Sequence, residues 1–186
     1  MTTRVVAWRR ADEDAGHSLA RMERRPGGWL FHGTEVLAGP ETLLACSFRV
    51  EVDDACATRS VEVTAVSAAG ERRLVLAAGD DRRWTRDGEP DPALDGCVDV
   101  DVAATPLTNT LPIRRLAGLA AGEEVVTPVA WVDVPALGVT RVDQTYRRLG
   151  ERSWRYSDDA HGAFELTVDD DGLVVDYTGM STRVAG

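Results

Sequence analysis

The chain has 186 residues, 44% of them hydrophobic and 28% charged, with a formal net charge of -10 and a pI near 4.8. That length suits one domain spanning 1–186 with a sizeable core, and the acidic balance argues against nucleic acid as a partner and disfavours charge-driven attachment to anionic membranes. All 21 basic residues are arginine, so neither Schiff-base chemistry nor a P-loop lysine is available.

The N-terminal segment MTTRVVAWRRADED is charged throughout and offers no apolar signal region, and no run approaches the ~18 apolar residues of a membrane span. The expectation is a cytoplasmic protein without stable membrane insertion. Cys46, Cys56 and Cys97 are odd in number and widely spaced, which favours buried reduced thiols over disulfides.

In chain order the pattern reads as short strands. Thr3 to Trp8 and Ser18 to Glu23 come first, then Trp29 to His32 and Glu35 to Leu37 on either side of Gly33. Leu44, Cys46, Phe48, Val50 and Val52 alternate with polar residues, and Ser60 to Val66 follows with Val61, Val63 and Ala65 on one face. Arg72 to Ala77, Arg82 to Thr85 and Cys97 to Val102 continue the series. Arg114 to Ala121 suits one short helical turn, limited by Gly118 and Gly122.

Beyond it, Glu124 to Val134 is apolar at both parities and predicts a strand covered on both sides. Val142 to Arg148, Ser153 to Ser157, Ala163 to Val168 and Leu173 to Tyr177 complete the set. A type I′ hairpin is expected at Asp171-Gly172. Segments 44–52, 60–66, 97–102, 124–134 and 163–177 read as the central strands. Many short strands at turn-marked intervals mean a sandwich, barrel or roll.

The densest polar stretch is LDGCVDVDVAATPLTNTLPIRRL, residues 94–116. Asp99 and Asp101 share a strand face opposite Val98, Val100 and Val102. The strand breaks at Ala103-Ala104-Thr105-Pro106. Thr105, Thr108, Asn109 and Thr110 follow, then Pro112 and Arg114-Arg115. The chain's only asparagine and only isoleucine, Asn109 and Ile113, both fall here. Alternating aspartates ordinarily mark a solvated face. Nearby arginines allow instead a buried ion pair, and at least one guanidinium is expected to meet Asp99 or Asp101. The hydroxyl-rich loop fits either backbone capping or a wall that contacts a sugar or head group.

Residues 96–102 and 105–116 resemble the bacterial family of putative glycolipid-binding proteins, formerly a domain of unknown function. Trp8, Arg82-Arg83-Trp84, Gln144-Thr145-Tyr146, Gly172-Leu173-Val174 and Asp176-Tyr177 look like further family positions. Cys56, Thr178 and His17 depart from the family pattern. The resemblance implies an all-β, antiparallel spiral β-roll, barrel-like, similar to periplasmic lipoprotein-carrier folds. At most one or two short helical turns are expected in it. It further implies a small amphiphilic or glycolipid-like ligand.

The expected ligand-binding residues are Asp99, Asp101, Thr105, Thr108, Asn109, Arg114 and Arg115, with Trp84 and Tyr146. No cofactor or metal is expected. His17, His32 and His161 lack ligand spacing. Asp169-x-Asp171-Gly172 has Thr178 where a calcium loop needs Glu. A non-enzymatic binder, with its ligand in or at the mouth of the roll, is the favoured reading. The alternative is a hydrolase of a glycosidic or ester bond that uses Asp99 and Asp101, with no G-x-S-x-G motif to suggest a serine nucleophile.

Overall fold

The computed structural model describes residues 3–40, 42–103 and 105–186. Ala104, within the expected strand break, lies outside the described residues. Alternation of apolar and polar side chains generates a long first series of strands: β1 (Thr3–Arg10), β2 (Ala15–Arg25), β3 (Gly28–Ala38), β4 (Leu43–Asp53), β5 (Thr58–Ser67) and β6 (Gly70–Ala78). Short β7 (Trp84–Arg86), β8 (Glu89–Pro90) and β9 (Asp99–Val102) follow. The second series is β10 (Glu124–Val132), β11 (Val139–Arg148), β12 (Ser153–Asp158), β13 (Gly162–Val168), β14 (Val174–Tyr177) and β15 (Ser181–Ala185).

These form one sheet in the order β8-β7-β6-β5-β4-β3-β2-β1-β15-β14-β13-β12-β11-β10-β9. The two ends of the described chain meet inside it, where β1 pairs with β15. The sheet curls on itself, so that β9 at one end reaches the start of β5. There Thr58 N donates to Val98 O at 3.0 Å, and Val100 N to the Thr58 hydroxyl at 3.1 Å. This is the expected spiral roll.

Several details differ from the sequence reading. The expected pieces around Gly33 are one strand. Gly33 faces Phe48 across the β3–β4 ladder, and a Cβ there would lie 2.1 Å from the Phe48 ring, so the glycine makes room rather than a break. Segment 97–102 is not central, because β9 ends the ladder and pairs only with β10. Val126 is 59% exposed, so only the later half of β10 is covered on both faces. Segment 163–177 divides into β13 and β14 at a turn in which only Gly172 takes a positive φ (77°). A type I′ turn needs two such residues. The Asp169 side chain instead accepts from Asp171 N and Leu173 N, at 3.0 and 2.9 Å. Strand β15, with only Ser181 buried, carries too little alternation to have been foreseen.

The β9–β10 pair is the one parallel pair among the described residues, and a parallel pair requires a long crossover connection. Residues 103–123 make it. They contain a 3-10 turn (Leu107–Asn109) and the helix α1 (Thr110–Arg115), which begins before the expected Arg114. Pro112 is tolerated within the first turn, where its missing N–H is not required, and Leu111 and Ile113 are buried beneath it.

Candidate functional site

The crossover carries α1 against the face of β9 that bears Asp99 and Asp101, and the two carboxylates meet different neighbours. Asp99 is 1% exposed and pairs with Arg115, which also donates from Nη2 to the Thr127 hydroxyl at 2.9 Å. This is the expected guanidinium pair. Burial raises the Asp99 pKa, and the Arg115 charge and hydrogen bond oppose that rise.

Asp101 is half-buried and accepts from the Thr108 hydroxyl and from Gln144 Nε2, each at 2.7 Å. Desolvation raises its pKa, the Thr108 and Gln144 bonds lower it, and the Asp158 charge adds to the rise. Gln144 Nε2 also reaches the Tyr156 hydroxyl (3.2 Å), and Tyr146 donates to Asn109 Oδ1 at 2.9 Å. Tyr156 donates in turn to Asp158, whose carboxylate also accepts from the His161 ring and backbone. Burial would raise the Asp158 pKa, but those bonds outweigh it and hold the group below the usual range.

This network backs a cavity of 320 Å³, near the lower end of the roughly 300–1,000 Å³ usual for small-molecule sites. Its apolar wall is Trp131, Tyr156, Phe164 and Tyr177. Phe164 stacks on Tyr156 at 6.2 Å and meets Tyr177 edge-on at 5.4 Å. Asp101, Thr105 and Asn109 form the polar wall, while Arg10 and Asp12, paired through bonds of 2.5 and 2.8 Å, form the rim. Such a slot offers carboxylate and amide acceptors beside flat apolar rings. It suits a ligand with hydroxyl donors on one edge and C–H groups on its face.

The structure therefore sorts the expected site residues. Asp101, Thr105 and Asn109 line the aromatic cavity, with Thr108 and Tyr146 directly behind them. Asp99 is sealed beneath Arg115. Arg114 and Arg115 face a separate cavity at the other end of α1. Trp84 is a correction. It is 1% exposed in the core, its indole donates to Cys97 O at 3.0 Å, and it lines neither cavity, because its strand parity points it inward.

Sequence reasoning missed Arg10, Asp12, Trp131, Tyr156, His161, Phe164 and Tyr177. It also missed Glu35, fully buried next to the cavity wall, which accepts from the Ser18 hydroxyl. Its Oε1 has no hydrogen-bond partner among the described residues. Burial drives its pKa to about 7 against the lowering effects of Ser18, Thr105 and Arg10. A signal for this group was present in the pattern. Arg10, Ser18 and Glu35 share the inward parity of Trp8, Ala20 and Phe31. No group of His, Cys, Asp and Glu able to hold a metal occurs among the described residues, and no helix there is long and apolar enough to cross a membrane.

A spiral all-β roll with an aromatic, acid-lined cavity beside its helical crossover is the class of structure these features define. The chain belongs to the family described as "Putative glycolipid-binding", which matches residues 5–183. It is similar to a DUF1089 family protein from Pseudomonas aeruginosa known from its crystal structure. Identity is 30%, coverage is 90% of this chain and 92% of that one, and the TM-score is 0.80. A β-barrel-like protein of the DUF1849 domain from Brucella abortus shares the fold at 10% identity and a TM-score of 0.57, over 97% and 93% of the two chains. No curated protein matches.

Proposed function

We propose that the protein binds a glycolipid-like amphiphile without turning it over, with the sugar head group in the aromatic cavity at the mouth of the roll. The observation that carries this reading is the cavity wall. Four aromatic rings face Asp101, Thr105 and Asn109, and each of those polar groups is already fixed by the fold. A pyranose presents an apolar face and a hydroxyl edge to such a slot, and fixed acceptors lose little entropy on binding. Phe164 and Met180 at the rim give an acyl chain an apolar exit.

Hydrolysis by Asp99 with Asp101 is disfavoured, because the Asp99 oxygens are occupied by Arg115 and Thr127 and do not reach the cavity. Titration with alkyl glycosides, followed by tryptophan fluorescence, tests the proposal. Saturable binding is expected, about tenfold weaker in Asp101→Asn, with no sugar released from the glycoside. Release of free sugar that disappears in Asp101→Asn would establish the hydrolase instead.

A further inference from the structure

A second cavity, of 480 Å³, opens at the C-terminal end of α1. Arg114, Arg115, Arg148 and Arg152 line it, facing the acidic turn 169–171, with Asp54 and Glu151 also on the lining. By formal charge the two sides nearly cancel. Their partners separate them. Asp169 pairs with Arg183 at 2.8 Å and with Arg4 at 3.3 Å, and Asp171 also pairs with Arg4. Asp54 on the rim pairs with Arg24 at 2.7 Å. Asp169 and Asp171 are thus neutralised from behind, while Asp170 meets Arg152 alone and the exposed Glu151 on the lining has no ion-pair partner among the described residues.

On the basic side, Arg115 is committed to Asp99. Arg152 meets Asp170 at 2.5 Å, but both side chains are exposed, 58% and 80%, so that pair exchanges readily with a competing anion. Arg114 and Arg148 have no carboxylate partner within 4.0 Å among the described residues. Arg148 is held by neutral carbonyls, those of Ala117 (2.5 Å), Leu119 (2.8 Å) and Gly150 (3.1 Å).

Arg114 is held more firmly. Its guanidinium lies 4.3 Å over the Trp29 ring, and its Nη1 donates to Asp171 O at 2.5 Å. Its stem passes Gly172 so closely that a Cβ there would stand 2.9 Å from Arg114 Cγ. Its Nε donates to Cys56 Sγ at 3.4 Å, and Nη2 has no partner among the described residues. The fold has fixed a guanidinium edge at a cavity and left it open.

We infer that this cavity binds a phosphate or phosphate ester, with Arg114 Nη2 and Arg152 donating to the oxyanion and Arg148 supplying fixed charge. Three cationic centres exceed what one carboxylate would need. A phosphate monoester, carrying about -1.5 to -2 charge and three acceptor oxygens, matches guanidinium forks. This inference does not depend on the glycoside reading, which concerns the other cavity.

The test titrates the full chain at constant ionic strength with inorganic phosphate and with glycerol 3-phosphate. A parallel arm measures co-sedimentation with phosphatidylcholine vesicles containing phosphatidic acid. Saturable phosphate binding is expected, weakened about tenfold or more by Arg114→Gln and severalfold by Arg152→Gln. Arg114→Lys should fall between, because it keeps the charge and loses the fork. Arg152→Gln should leave alkyl-glycoside binding unchanged, which separates this site from the aromatic one. If Arg114→Gln does not fold, the exposed Arg152 decides.

Binding to the free esters assigns a soluble ligand, and binding to the vesicles alone assigns a lipid head group. Either result supports an oxyanion site. Binding that no arginine substitution weakens, or that chloride reproduces, or no binding in any arm, overturns it.

Discussion

The strands β1–β6 and β10–β14 belong to one sheet and largely obey the same alternation, yet they enclose different interiors. Within the first group the inward side chains are mainly apolar, among them Val6, Trp8, Met22, Phe31, Phe48, Val63 and Leu76. The second turns Gln144, Tyr146, Trp154 and Tyr156 inward, so its buried face is aromatic and hydrogen-bonded. An apolar interior needs only volume and shape. A polar one needs a partner for each donor and acceptor, and here the crossover supplies several of them through Thr108, Asn109 and Arg115. The aromatic cavity lies beside the crossover, where the polar interior opens outward.

The largest expected effects test this difference directly. Phe48→Ala removes a buried ring from the apolar half and should cost about 3–5 kcal/mol in urea unfolding. Arg115→Ala leaves Asp99 charged and unpaired in the polar half, and should also cost about 3–5 kcal/mol. The cause differs, and Asp99→Asn added to Arg115→Ala should recover part of the second loss and none of the first. Failure of that rescue would show that packing, not charge pairing, holds both halves.

Glu35 is a fully buried carboxyl group within the apolar half, and pH exposes it. Its pKa is near 7 in the fold against 4.5 for an ordinary glutamate, so the folded chain binds the extra proton. Its favourable contribution is complete below about pH 4.5 and is lost as pH rises through 7, a change of about 3 kcal/mol. Glu35→Gln cannot lose that proton. Its stability relative to the parent should climb across this window, and equal curves in urea at pH 5 and pH 8 would contradict the assignment.

A smaller effect sharpens the polar half. Tyr146→Phe leaves Asn109 Oδ1 buried without its donor, and should cost about 1–2 kcal/mol while the roll stays intact. Smallest of all, Arg73→Ala breaks a pair with Glu62 in which both side chains are about half exposed. The unfolding midpoint should move by less than about 1 kcal/mol.

Much of the apolar half was legible in the sequence, because alternation such as Leu44 to Val52 is set by one inward face and survives any choice of neighbouring strand. The polar half was less so. Asp99 and Asp101 share a face in the pattern, but only the crossover and β11 decide that one meets Arg115 and the other Thr108 and Gln144. His161 and Asp158 lie in what reads as a surface turn, and their link to Tyr156 depends on tertiary packing. Arg10 and Asp12 reach the cavity because β1 lies next to β15, a pairing that Ser181 to Ala185 barely announces.

That same pairing has a consequence for how the chain acquires its shape. The β1 edge facing away from β2 is completed by residues made roughly 170 positions later, as in Arg10 against Ser181. At the usual pace of synthesis, about 5–20 residues per second, this leaves roughly 10–30 s in which that edge has no native partner. During that interval Val5, Ala7 and Arg9 line an open strand, the situation in which one nascent chain can pair with another. Assembly of the sheet is therefore timed by its last strand, and crowding of ribosomes on one message is where this fold is most exposed to error.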